Sequence, residues 1–164
     1  MKIIKEIIPY IIVVVTVIII RTYIITPVRV DGTSMYPTLE NNQILLLKKF
    51  DKKIERFELI VIEYDYTKLI KRVVGLPGEH VKYVDNSLYI NDKLIKEDFI
   101  DTTTKDFDLS SLGVDVIPEG YYFVMGDNRN NSIDSRTIGL ISKDEILGTT
   151  SFSIFPFNRF GFIE

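Results

Sequence analysis

The apolar positions of this chain fall into two regimes. From Ile7 to Ile20, twelve of fourteen residues are Ile, Val or Tyr, with Pro9 and Thr16 the exceptions, and from Ile7 to Ile25 the only charge is Arg21. As a helix this block would reach about 28 Å, close to the hydrocarbon thickness of a bilayer. Its branched residues would suit a buried strand equally well, but strands run only about 4–8 residues, so length decides for a helix. Tyr10 and Tyr23 stand near the two ends, where aromatic rings settle at a membrane interface, and Arg21 sits late enough to reach headgroups. The following Arg21-Thr22-Tyr23-Ile24-Ile25-Thr26-Pro27 offers no Ala-x-Ala cleavage pattern, which favours an uncleaved anchor over a cleaved signal peptide. Basic residues flank both sides (Lys2 and Lys5, Arg21 and Arg29), so charge does not fix the orientation.

From Val28 onward the period changes to that of short strands broken by turn formers. Gln43–Lys48, Leu59–Tyr64 and Lys71–Leu76 are apolar and rich in branched side chains, the last running into the turn Pro77-Gly78. Val81–Val84, Leu88–Ile90 and Leu94-Ile95, separated by Asp85-Asn86 and Asn91-Asp92, read as a meander of hairpins. Tyr121–Met125 and the stretch around Thr149 to Phe155 are strand-like again. Residues 96–118 are polar and acidic with little periodicity, the pattern of a surface insertion or flap. Ser142-Lys143-Asp144-Glu145 alone has the spacing of a helical capping box. The expectation is an anchor over residues 1–26 and one mainly β, antiparallel domain over 27–164.

Composition narrows the function. The 164 residues leave room for one compact domain plus an appendage. A net charge of −3 and a pI near 5.3 lack the clustered basic surface of a nucleic-acid binder. Cysteine is absent, which excludes disulfides, a thiol nucleophile and thiolate metal sites. No metal site or cofactor is expected.

Three stretches could carry chemistry. In Val30-Asp31-Gly32-Thr33-Ser34-Met35-Tyr36-Pro37-Thr38-Leu39, Ser34 lies between a glycine and a proline, in a loop able to present a hydroxyl and free main-chain N–H groups to an oxyanion. A plain strand-to-turn connection with a surface serine fits that stretch as well. The single histidine, His80, sits at a turn, where solvation is its ordinary state. A lysine can replace histidine as base if it is desolvated enough to be neutral. Lys71 shares a face with Leu69 and Val73, but Arg72 shares the other with Ile70 and Val74, so alternation alone does not say which is buried. An edge strand with two exposed cations fits equally. The third stretch, Gly126-Asp127-Asn128-Arg129-Asn130-Asn131-Ser132-Ile133-Asp134-Ser135-Arg136, reads either as a long solvated loop or as a polar network tied by Asp–Arg pairs.

In this order (apolar anchor, SMYPTL, an apolar strand, KRVVGLPGE, GDNRNNSIDSR), the chain resembles the bacterial type I signal peptidases, the leader peptidases that use a Ser–Lys dyad. The short 96–118 stretch is similar to the compact Gram-positive-like form. The resemblance implies a signal-peptidase-like antiparallel β domain behind one transmembrane helix, with Ser34 as nucleophile and Lys71 as general base. It implies that Ser132 hydrogen-bonds and orients the lysine, that Asp134 with Arg136 and Asp127 with Arg72 form structural ion pairs, and that Met35 helps line the substrate cleft. Some members carry a serine at the position of Gly32 that assists the oxyanion hole; here the hole would rely on main-chain donors, chiefly the Ser34 N–H. The eukaryotic-type enzymes have histidine in place of Lys71. The implied activity is removal of signal peptides from exported preproteins after Ala-x-Ala-like sites, through an acyl-enzyme, by a single-pass protein of the cell membrane whose domain faces outward. Its partners would be those preproteins and the lipid bilayer, with the secretion machinery nearby. The run Phe152, Phe155, Phe157, Phe160, Phe162 suits either core packing or contact with lipid. Two rivals are a self-cleaving Ser–Lys repressor-type peptidase, against which the anchor and acidic pI argue, and a non-catalytic tethered β domain that binds exported peptides.

Overall fold

The computed structural model describes residues 2–49 and 53–163, with side chains from residue 6 onward. Helix α1, Lys2–Ile19, ends in a single π-helical turn, Ile20–Ile24, and the chain leaves directly as strand β1, Ile25–Arg29. The span Glu6–Ile24 is long and apolar enough to cross a membrane, and none of it is buried against the protein. The sequence pattern carries the helix to Ile25; the regular α-helix stops at Ile19 and the π-helical turn extends the helical span to Ile24. The carbonyls released there find other donors: Thr26 Oγ1 donates to Arg21 O at 2.8 Å, Lys49 Nζ to Thr22 O at 2.8 Å, and Lys49 N to Ile24 O at 3.1 Å.

The larger sheet uses β2 (Ile44–Lys48), β3 (Leu59–Tyr64), β4 (Thr67–Gly75), β9 (Tyr121–Met125), β10 (Ile141-Ser142), β11 (Ile146–Phe155) and β12 (Gly161-Phe162). Its order is β1-β2-β11-β3-β4-β9-β10, with β12 paired to β11. The smaller sheet, β7-β6-β5-β8, is formed by β5 (Val81–Val84), β6 (Ser87–Ile90), β7 (Lys93–Ile95) and β8 (Phe107-Asp108). Every strand pair is antiparallel, as the turn-punctuated pattern implies.

The central strands are covered on both faces. On β3, Leu59 and Val61 enter one apolar cluster with Val28, Leu39 and Leu45, while Ile60 and Ile62 enter another with Val73 and Val124. A third cluster, around Phe123, Tyr83 and Leu88, joins the two sheets. The stretch 96–118 departs from the expected surface insertion. Leu109 and Ile117 are 0% and 1% exposed within that third cluster, and Thr104 is buried at 5%. Its few apolar anchors are too irregularly spaced to show a period. The Ser142 capping box is formed, with Ser142 N donating to Glu145 Oε2 at 2.7 Å, but the helix lasts only Lys143–Glu145 before β11 begins.

Candidate active site

Strand β4 lies between β3 and β9, so neither Lys71 nor Arg72 is on an edge. Both faces are covered, and the alternation question has a double answer: Lys71 is 2% exposed and Arg72 5%. Lys71 stands opposite Ile60, on the face that also carries Leu69 and Val73. Arg72, on the other face, is bidentate to Asp127, with Nε to Oδ1 at 2.9 Å and Nη2 to Oδ2 at 2.7 Å. It also donates to Phe57 O at 2.9 Å and lies 3.9 Å from the centre of the Phe99 ring. These contacts hold the buried guanidinium in one geometry. Lys71 has no carboxylate within ion-pair distance among the described residues; its Nζ donates to Ser34 Oγ at 2.7 Å.

This environment favours the neutral amine of Lys71. Burial pushes its pKa down from 10.5 to about 8. The Asp134 and Asp127 charges oppose that shift, and the Arg136 charge assists it. Asp134 is held by Arg136, with Nε to Oδ1 and Nη2 to Oδ2 both at 2.8 Å. Burial raises the Asp134 carboxyl, but Arg136 and the Gly126 N–H outweigh it and hold it below the usual carboxylate value. The charges nearest the lysine are therefore already partnered.

The loop that carries Ser34 is pinned to the third sequence stretch. Asn128 N donates to Ser34 O at 3.0 Å, Asn128 Nδ2 to Thr33 O at 3.2 Å, and Asn131 Nδ2 to Thr33 Oγ1 at 3.0 Å. Thr38 Oγ1 donates to Asp127 Oδ2 at 2.6 Å, so the Arg72–Asp127 pair anchors the far end of the same loop. Gly32, with φ of +85°, sits in the region that favours glycine, and its N–H is taken by Asn41 Oδ1 at 2.9 Å. The Ser34 N–H has no acceptor among the described residues and is free to meet an oxyanion. Gly126 is packed so tightly that a Cβ would stand 2.5 Å from Ser34 O and closer still to Ser132 Oγ.

Ser34 and Lys71 open into a cleft of about 500 Å³ that Gly32, Leu69, Ser132 and Ile133 also line. Ser132 Oγ is buried there with no hydrogen-bond partner, so the expected bond to Lys71 is not made, although both groups reach the same cleft. Met35 is placed differently from the expectation. At 2% exposure it packs with Leu39, Leu45 and Leu59 in the core and does not line the cleft. His80 is remote from this chemistry, engaging Asp115 O at 2.6 Å and Asp108 Oδ1 at 3.5 Å.

One element has no forerunner in the sequence reading. Arg129, whose side chain is fully buried, donates to Glu97 Oε1 at 2.6 Å, Tyr83 OH at 2.9 Å, Thr104 Oγ1 at 2.9 Å and Gly126 O at 3.1 Å. Its own carbonyl accepts from Arg136 Nη2 at 2.9 Å. The residues 97–104 thereby brace the loop that carries Asp134 and Ser132. Only the position of Arg129 inside a charge-dense run hinted at this, since its partners are scattered along the chain.

The chain is similar to known proteins. Residues 2–155 match the family described as signal peptidase, peptidase S26. Signal peptidase I T of Bacillus subtilis is 40% identical over 154 residues, covering 85% of this chain and 79% of that protein. Signal peptidase I V of the same organism is 42% identical over 137 residues, 75% and 82% of the respective chains. The crystal structure of a signal peptidase I from Enterococcus faecalis superposes with a TM-score of 0.57 at 37% identity, covering 60% of this chain and 97% of that one. With its antiparallel β architecture behind an apolar helix, the chain belongs to the bacterial type I signal peptidases of family S26.

Proposed function

We propose that the chain is a membrane-anchored serine endopeptidase that removes signal peptides from exported preproteins by a Ser34–Lys71 dyad. The observation that carries this reading is the 2.7 Å contact between Ser34 Oγ and an almost fully buried Lys71 Nζ. In the neutral amine the contact reverses: the hydroxyl donates to the Nζ lone pair. Lys71 takes that proton as Ser34 Oγ attacks the scissile carbonyl carbon, and the resulting oxyanion meets the Ser34 N–H. The ammonium then gives its proton to the departing amine, leaving an acyl-enzyme on Ser34. A water deprotonated by Lys71 attacks the ester, and the proton returns to Ser34 Oγ. With a pKa of about 8, roughly a tenth of the lysine is neutral at pH 7, against under a thousandth for a free one.

Asp127, Arg72, Asp134 and Arg136 are positioning residues in this scheme, and Ser132 is the hydroxyl that orients the lysine once substrate closes the cleft. The substrate lies extended by strand addition, its small side chains entering shallow pockets after an Ala-x-Ala-like site. Residues 1–26 anchor the enzyme in the cell membrane by one span. Residues 27–164 form the domain on the extracytoplasmic side, where preproteins emerge near the secretion machinery. Support for a site close to the membrane comes from register. Ile25, the first strand residue after the helical span, pairs in sequence across Lys48, Thr149 and Ile60 to Lys71.

The test is cleavage of a preprotein bearing an Ala-x-Ala site by the detergent-solubilised full chain and by its Ser34→Ala variant. Cleavage at that site by the wild type alone is expected. Equal cleavage by both, or by neither with folded protein, would overturn the reading.

A further inference from the structure

The turn between β3 and β4 breaks a rule that the other tight hairpins obey. Tyr64 pairs with Thr67, leaving the two-residue turn Asp65-Tyr66, both at positive φ (46° and 59°). Such turns favour Asn, Asp and Gly, and the turns Asp85-Asn86 and Asn91-Asp92 comply. A tyrosine in the left-handed region is an outlier, and Tyr66 gains nothing from the protein in return, being 99% exposed.

Its place in the fold supplies a reason. Across β1, β2, β11, β3 and β4 the residues Ile25, Lys48, Thr149, Ile60 and Lys71 form one row. Helix α1 enters that row from one side, and β3 and β4 run past the row on that same side to end at Asp65-Tyr66. This end of the sheet also carries Tyr23, 65% exposed at the helix exit, and Lys49, whose Nζ binds Thr22 O at 2.8 Å. Exposed tyrosines beside lysines are the composition of a membrane interface, and Asp65 keeps such a tip in the headgroup layer and out of hydrocarbon.

We propose that the β3–β4 hairpin tip is a second lipid contact, with Tyr66 seated in the headgroup layer of the bilayer that α1 spans. The proposal rests on the reading of α1 as the anchor. Because β4 carries Lys71 five residues beyond Tyr66, the contact would hold the dyad at a fixed height and tilt over the membrane, suited to a preprotein emerging from it.

The chain has no tryptophan, so single replacements report single sites. Full-length Tyr66→Trp, Tyr23→Trp and Tyr121→Trp proteins are reconstituted into phosphatidylcholine–phosphatidylglycerol vesicles with and without brominated lipid. Tyr121 begins β9 at the opposite end of the sheet and is 41% exposed. Blue-shifted, bromine-quenched emission is expected from Tyr66→Trp and Tyr23→Trp, and neither effect from Tyr121→Trp. Quenching of Tyr23→Trp without Tyr66→Trp would overturn the hairpin contact and leave the anchor standing. No quenching of Tyr23→Trp would overturn the anchor, and the proposal with it. A Tyr66→Asn variant, which restores an ordinary turn residue, is expected to cleave a soluble peptide in detergent at the wild-type rate. In vesicles it should process a membrane-bound preprotein several-fold more slowly; equal rates there would also overturn the proposal.

Discussion

Replacing Lys71 with methionine is expected to make the protein more stable at neutral pH while removing the proposed base. The lysine is 2% exposed, and burial, only partly offset by Asp134 and Asp127, brings its pKa from 10.5 to about 8. At about 1.4 kcal/mol per unit, that difference corresponds to about 3 kcal/mol. The unfolded chain keeps this proton up to pH 10.5 and the folded chain only to about 8, so between those values the unfolded state binds more protons and stability rises with pH. Below pH 8 the penalty of about 3 kcal/mol is present in full; at pH 10 about 1 kcal/mol of it remains. Methionine has similar reach and no charge, and losing the bond to Ser34 returns about 1 kcal/mol. The expected net gain is about 2 kcal/mol at pH 7 and near zero at pH 10. Urea unfolding of the detergent-solubilised protein, followed by far-ultraviolet circular dichroism at both pH values, measures it. A methionine variant less stable than wild type at pH 7, or a gain that does not shrink with pH, would refute the reasoning.

Other substitutions probe the frame around the dyad. Glu97→Gln leaves the Arg129 guanidinium buried with its charge unpaired and is expected to cost about 3–5 kcal/mol in a thermal melt. Gly126→Ala drives a methyl group against the Ser34 carbonyl and Ser132, and should lower kcat about 100-fold in protein that circular dichroism shows to be folded. Ser132→Ala removes a buried hydroxyl that makes no bond to Lys71, so its melting temperature should change little. Its kcat should drop about tenfold, the worth of one hydrogen bond to the lysine.

What the sequence disclosed depended on whether the deciding contacts were local. Strands such as Leu59–Tyr64 and Val81–Val84, with their Asp/Asn turns, were legible because period and turn chemistry are written within a few residues. The burial of both Lys71 and Arg72 was not, because alternation assumes one wet face and β4 has none. Met35 reads as a neighbour of the nucleophile, yet the turn at Ser34 directs it into the core. Residues 96–118 read as a flap because Glu97 and Thr104 are fixed by Arg129, far along the chain, and hydrogen bonds of that kind leave no periodic trace. The π-helical turn that closes α1 is equally non-local: Lys49 and Thr26 supply the donors that let the chain pass directly into β1 at Ile25.

The most direct test of the dyad is the pH dependence of kcat/KM on a preprotein substrate, which reports the free enzyme's base. With neutral Lys71 as that base, activity should rise with pH and level off above an apparent pKa of about 8. The Lys71→Arg variant should be inactive throughout, since its guanidinium does not deprotonate. A wild-type profile that is flat across this range, or measurable turnover by Lys71→Arg, would contradict a Ser34–Lys71 mechanism.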